Sequence, residues 1–101
     1  MSFAQQTVKE LITKYAEGEF IKAEDYVREV LKGKDKVELR KMCKENEIYY
    51  KKGSTREMLF QRLYGMVNTV LGFKVLKTSD IRNESLQDYY KRIYNREYLK
   101  V

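Results

Sequence analysis

Residues 35–63 read DKVELRKMCKENEIYYKKGSTREMLFQRL, and within them two short amphipathic helices open in the same way. Asp35 stands three residues before Glu38, and Ser54 three before Glu57. Each pair has the spacing of a capping box, in which the first side chain accepts from the backbone N–H of the second residue and the second reaches back. Leu39, Met42 and Cys43 recur on one face of the first helix, and Leu59, Phe60 and Leu63 on one face of the second. Ile48, stranded in the polar loop between them, is the natural plug for the gap.

This pattern resembles the SAP domain, a helix, extended loop, helix module that binds duplex DNA. The likeness is carried by Val37, Glu38 and Leu39 on the first helix, Cys43 one turn on, Ile48 in the loop, Gly53 ahead of the second helix, and Leu59 with Arg62 and Leu63 at its close. It covers under a third of the chain. Two positions depart from the family's pattern: Cys43 stands where a leucine is usual, and Thr55 where a lysine is common just after the glycine. The second departure bears on DNA binding more than on shape. LEM-type and Rho N-terminal modules are similar in outline, the first often binding protein and the second RNA, so the shape does not choose the ligand.

Proline and histidine are absent, glycine is scarce and there is a single cysteine. So few breakers favour helices, and 101 residues suffice for one domain that buries a core without disulfide or metal staples. The expected fold is all-α, a small domain of about five helices over residues 1–101. It divides into an N-terminal helical hairpin over 1–33, the SAP-like motif over 35–63 with its second helix extended to about 71, and a C-terminal helix over 79–99.

In the N-terminal part, Ser2 and Gln5 form a weaker capping pair, and Ala4, Val8, Leu11, Ile12 and Tyr15 keep helical spacing up to Gly18. A second helix is expected from about Phe20, with Ala23, Val27, Val30 and Leu31 inward and Gly33 as its stop. The short Gly18-Glu19-Phe20 joint predicts that the two lie antiparallel. Adjacent Glu24 and Asp25 point in different directions on a helix and read as a solvated face.

Further on, the helix from Thr55 to about Leu71 carries a broad apolar surface, with Gly65 placed for close helix contact and Gly72 as its end. The following FKVLK is expected as an extended linker, since a lone strand has no partner. Asn83 or Ser85 caps the last helix, with Leu86, Tyr90, Ile93 and either Tyr94 or Leu99 inward. Lys91, Arg92, Arg96, Tyr89 and Tyr98 fall on its opposite side.

The net charge of +6 is uneven: −1 over residues 1–33, +4 over 34–63 and +3 over 64–101. A field of that sign concentrates polyanions, although lysines and arginines also solvate helix faces. Lys36, Arg40 and Lys44, spaced by four, form one stripe that can follow a phosphate backbone, with Glu38, Glu45 and Glu47 near enough to neutralise part of it. The loop adds Lys51, Lys52 and Gly53 just before a helix start. There, unpaired N–H groups around Thr55 and Arg56, with Ser54 as cap, suit a phosphate. Of adjacent Tyr49 and Tyr50, one is expected inside and one outside against a sugar or base, and the candidate set includes Tyr49.

Missing chemistry narrows the function further. There is no Walker-type loop and no dinucleotide fingerprint. Without histidine, Ser-His and Cys-His nucleophile systems are excluded, and one cysteine builds no tetrahedral transition-metal site. Cys43 reads as a small buried hydrophobe. No catalytic residue, metal or cofactor is expected. With no apolar run long enough for a bilayer and no leader, the expectation is a cytoplasmic protein, nucleoid-associated in a prokaryote, with neither a membrane nor a small-molecule substrate as partner. Two readings follow: a non-catalytic protein that holds double-stranded DNA by its phosphates with little sequence preference, or an adaptor or inhibitor whose tyrosine-rich and apolar faces bind a protein partner or a second copy.

Overall fold

The computed structural model describes residues 2–76 and 85–99, and among them the chain is all-α. The helices are α1 (Phe3–Ala16), α2 (Ala23–Val30), α3 (Lys36–Glu45), α4 (Arg56–Leu76) and α5 (Leu86–Glu97). None of them is long and apolar enough to cross a membrane.

Local chemistry sets most of the helix ends. The Ser2 hydroxyl accepts from the Gln5 N–H at 3.2 Å and the Gln5 side chain accepts from the Ser2 N–H at 3.1 Å, completing the capping box of α1. Its far end is a Schellman turn, in which the N–H groups of Gly18 and Glu19 donate to the carbonyls of Tyr15 and Lys14 at 3.1 and 2.8 Å. Gly18 sits at φ 91°, and a Cβ there would stand 3.4 Å from the Gln87 side chain, which donates to the Ala16 carbonyl at 3.1 Å. The left-handed backbone is what demands glycine.

At the head of α3, Asp35 accepts from the Glu38 N–H at 2.9 Å. The Glu38 carboxylate turns instead toward Lys34 at 3.9 Å, so the cap is one-sided. Its tail repeats the Schellman turn, with the N–H groups of Ile48 and Glu47 bonded to the carbonyls of Cys43 and Lys44 at 2.8 and 3.2 Å. Here the left-handed position falls to Glu47, at φ 57°, where a Cβ crowds the following carbonyl. Glu47→Gly is therefore expected to raise stability by about 0.5–1 kcal/mol, the relief being partly offset by the freer unfolded chain. An upward shift of the urea midpoint at constant slope would show it.

Helix α4 is the beam on which α1, α2 and α3 rest, and α5 packs on α1. Leu59, Phe60, Leu63 and Val67 along it are buried and join Leu11, Val27, Leu39, Cys43, Tyr89 and Ile93 in one continuous core. Helix α1 packs chiefly on α5 and α4, while α2 and α3 lie on α4. Asn46 stitches two of these units together, accepting from the Phe3 N–H at 3.2 Å and donating to the Met42 carbonyl at 2.7 Å.

Several expectations are corrected. Helix α2 begins at Ala23, because Phe20 is drawn over α1 and α5: its ring lies 6.0 Å from Tyr15 and 6.5 Å from Tyr90, and the Tyr15 hydroxyl donates to the Ile21 carbonyl at 2.7 Å. The joint is thus longer than three residues, and α1 meets α2 only lightly. Gly72 does not end α4, which continues through residues 73–76 where a linker was expected, while Lys77 at the end of that stretch lies outside the described residues. Gly65 makes no close helix contact, since a Cβ there would meet open space. On α5, Ser85 is the cap, accepting from the Asp88 N–H at 3.2 Å, while residues 79–84, Asn83 among them, lie outside the described residues. Tyr89 is buried and Tyr98 half-buried on the inner side, whereas Leu86 and Leu99 are each 51% exposed.

Candidate nucleic-acid interface

The loop joining α3 to α4 is held from beneath and closed at its tip. Ile48 and Tyr50 pack, partly buried, against the core, two residues apart as extended backbone places them. Beyond them the Ser54 N–H donates to the Lys51 carbonyl at 3.1 Å, and the Ser54 hydroxyl donates to the same oxygen. Gly53 has φ 84° at the third position of this turn, where a type II turn requires a positive value. Lys51, Lys52 and Gly53 are left exposed at the tip.

Between that turn and α3 lies an open cleft of about 540 Å3 lined by Arg40, Lys44, Tyr50, Lys52 and Gly53. No carboxylate is in its lining. Glu38 and Glu45 point elsewhere, each 3.9 Å from a different lysine, Lys34 and Lys41. Among the described residues, Lys36, Arg40, Lys44, Lys51 and Lys52 form no ion pair. Three like charges facing one cleft repel each other, and an anion placed there relieves that repulsion.

The structure rearranges the candidate set in a definite way. Arg40, Lys44, Lys52 and Gly53 come together; Lys51 stands beside them at the tip, and Lys36 lies one turn back on α3 without lining the cleft. Ser54 is not the cap of α4: it is 3% exposed, its hydroxyl spent on the loop. Thr55 takes that place, accepting from the Met58 N–H at 3.2 Å. Arg56 faces away from the loop lysines, donating through Nε to the Lys34 carbonyl at 2.7 Å and through Nη2 to the Leu31 carbonyl at 2.9 Å. It clamps the turn after α2 to the start of α4.

The two tyrosines divide between two surfaces. Tyr50, absent from the expected set, lines the basic cleft. Tyr49 is 70% exposed and lies under the Arg62 guanidinium, 5.9 Å from its ring centre, in a separate groove between the loop and α4. A signal for this was present: once Ile48 is assigned inward, alternation along an extended loop puts Tyr50, not Tyr49, on the same side. Arg62, which in the sequence is half of the closing Arg-Leu pair, meets the Tyr49 ring only once loop and helix are docked.

Glu57, in the first turn of α4, is paired with Arg28 of α2 through both carboxylate oxygens at 2.8 and 3.1 Å. The same guanidinium lies 4.1 Å from the Phe60 ring centre and 3.1 Å from Glu24. Hydrogen bonds from Arg28, and next from Gln61, hold the Glu57 carboxyl down at about 2. A carboxyl depressed on folding contributes stability that is present above its unfolded value, near 4.5, and is lost as pH falls toward about 2. Glu57→Gln is therefore expected to flatten the acid limb of the stability curve between those values, measured by urea melts at stepped pH, and to leave neutral-pH helix content unchanged.

Cys43 is fully buried and burial pushes its thiol up, so it has the environment of a packing residue rather than a nucleophile. Comparison with family models, with curated proteins and with solved structures found no match to this chain.

Proposed function

We propose that the chain is a non-catalytic DNA-binding protein, built on a SAP-like helix, loop, helix unit, that grips duplex phosphates in the cleft of Arg40, Lys44 and Lys52. The observation that carries this reading is the cleft's lining: three cationic side chains, a tyrosine and a bare glycine backbone, with no carboxylate among them. Lys51 at the tip and Lys36 one turn back extend the positive surface on either side. Contacts of this kind fix register on a backbone and carry no base information, so sequence preference is expected to be slight. The same reading puts the protein in the cytoplasm, and on the nucleoid in a prokaryote.

Titration of labelled duplex DNA across a range of salt tests it. With four phosphates neutralised, by Arg40, Lys44, Lys51 and Lys52, log affinity is expected to fall against log salt with a slope of about −3.6. Binding that is absent, or indifferent to salt, refutes the proposal and returns the question to a protein partner or self-association, which sizing would then address.

A further inference from the structure

The groove on the far side of the loop has features the phosphate cleft does not use. It is an open groove of about 430 Å3 between the loop and α4, lined among others by Tyr49, Arg62, Gln61, Thr69, Glu47 and Gly65. The Tyr49 ring is 70% exposed, and the Arg62 guanidinium, which makes no ion pair among the described residues, lies 5.9 Å from its centre. Gly65 leaves the α4 wall bare: a Cβ there would meet nothing within 4 Å, and its φ is ordinary for a helix. An otherwise unexplained helical glycine, costing roughly 1 kcal/mol against alanine, thus opens the groove opposite an aromatic face.

We infer that this groove receives a single unpaired base of a DNA whose duplex phosphates lie in the Arg40, Lys44 and Lys52 cleft. Tyr49 offers a face for stacking, and Arg62 a planar cation beside it. Gln61, one N–H of which is bound to Glu57 at 3.2 Å, keeps a second donor and its carbonyl, Thr69, whose proton goes to the Gly65 carbonyl at 2.9 Å, offers an acceptor, and Glu47 accepts from an exocyclic amino group. Tyr49 and Tyr50 are consecutive, so backbone and base are gripped across a single loop strand. A base inside a continuous duplex is stacked on its neighbours and does not present a face to this groove. The ligand class is accordingly duplex DNA interrupted by an unpaired nucleotide, such as a bulge, flap or tailed end. The inference rests on the proposed DNA binding and adds a preference to it.

The test compares affinities of the full chain for a blunt duplex, the same duplex with one bulged nucleotide, and the same duplex with a short single-stranded tail, at one salt concentration. The unaltered protein is expected to bind the bulged and tailed forms about tenfold more tightly than the blunt one. Tyr49→Ala is expected to remove that preference and leave blunt-duplex affinity unchanged. Gly65→Leu, whose Cβ meets nothing within 4 Å and whose longer chain extends into the groove from a better helix former, is expected to do the same with stability kept or raised. Equal affinity for all three DNAs, with salt-sensitive binding intact, overturns this inference and leaves the DNA reading standing. Equal losses on blunt and bulged DNA in both variants also overturn it, and no binding to any DNA removes both.

Discussion

Replacing Arg40, Lys44 and Lys52 together with glutamate is expected to weaken duplex binding by at least about a hundredfold at moderate salt. It should also reduce the salt slope from about −3.6 to about −0.9, since three of four neutralised phosphates are lost. The cleft concentrates the effect because its lining holds these three cations and no acid, so each reversal puts a negative charge directly against the polyanion. Folding is not expected to suffer: none of the three belongs to the buried core or forms an ion pair among the described residues. Arg56→Gln is the informative control. Its guanidinium is spent on the Lys34 and Leu31 carbonyls at 2.7 and 2.9 Å, so this change is expected to lower stability while moving affinity little. A triple variant that binds as the parent does, or an Arg56 variant that loses affinity as strongly, would put the phosphate site elsewhere.

The largest expected loss of stability comes from Leu11→Ala. Leu11 is 0% exposed in the middle of α1, the helix that holds α4 and α5 together. Truncation removes the side chain's transfer free energy and leaves a cavity that surrounding helices fill only in part, a cost of about 2–5 kcal/mol. Domains of this size have only about 5–15 kcal/mol in total, so the thermal midpoint should fall by roughly 10–30 °C. Val37→Ala supplies the contrast: Val37 is apolar but 68% exposed, and the change should stay within about 0.5 kcal/mol. Equal midpoints for the two variants would show that the α1, α4 and α5 contact does not carry the fold.

Helix existence and the inward faces of α1, α3 and the first half of α4 were legible in the chain. The signals are local there: a capping side chain reaches an N–H three residues on, and apolar spacing needs only the helix's own period. Ser2, Asp35 and Ser85 act as caps where the residues suggested it. Ser54 and Thr55 show where such reading stops. Both offer a hydroxyl at adjacent positions, and the choice went to Thr55 because the loop's fold turned Ser54 inward onto Lys51. Likewise Gly72, a plausible terminator, costs about 1 kcal/mol in a helix, a sum that packing around Leu71 and Val67 outweighs.

What the amino-acid sequence determined by itself, then, was an all-helical chain with a positively charged, glycine-bearing loop between two capped helices. Tertiary structure alone decided which charges remain open. Arg28 meets Glu57 across 29 residues, and Arg56 meets the Leu31 carbonyl across 25, pairings that no local period announces. The same holds for the aromatic pairs: Tyr49 and Tyr50 part to opposite sides of the loop, and Tyr89 turns inward, according to which neighbouring helix is there to bury them. Short-range hydrogen bonds and spacing are written into consecutive residues, whereas the pairing of a side chain with a distant carbonyl or ring exists only once the helices are docked.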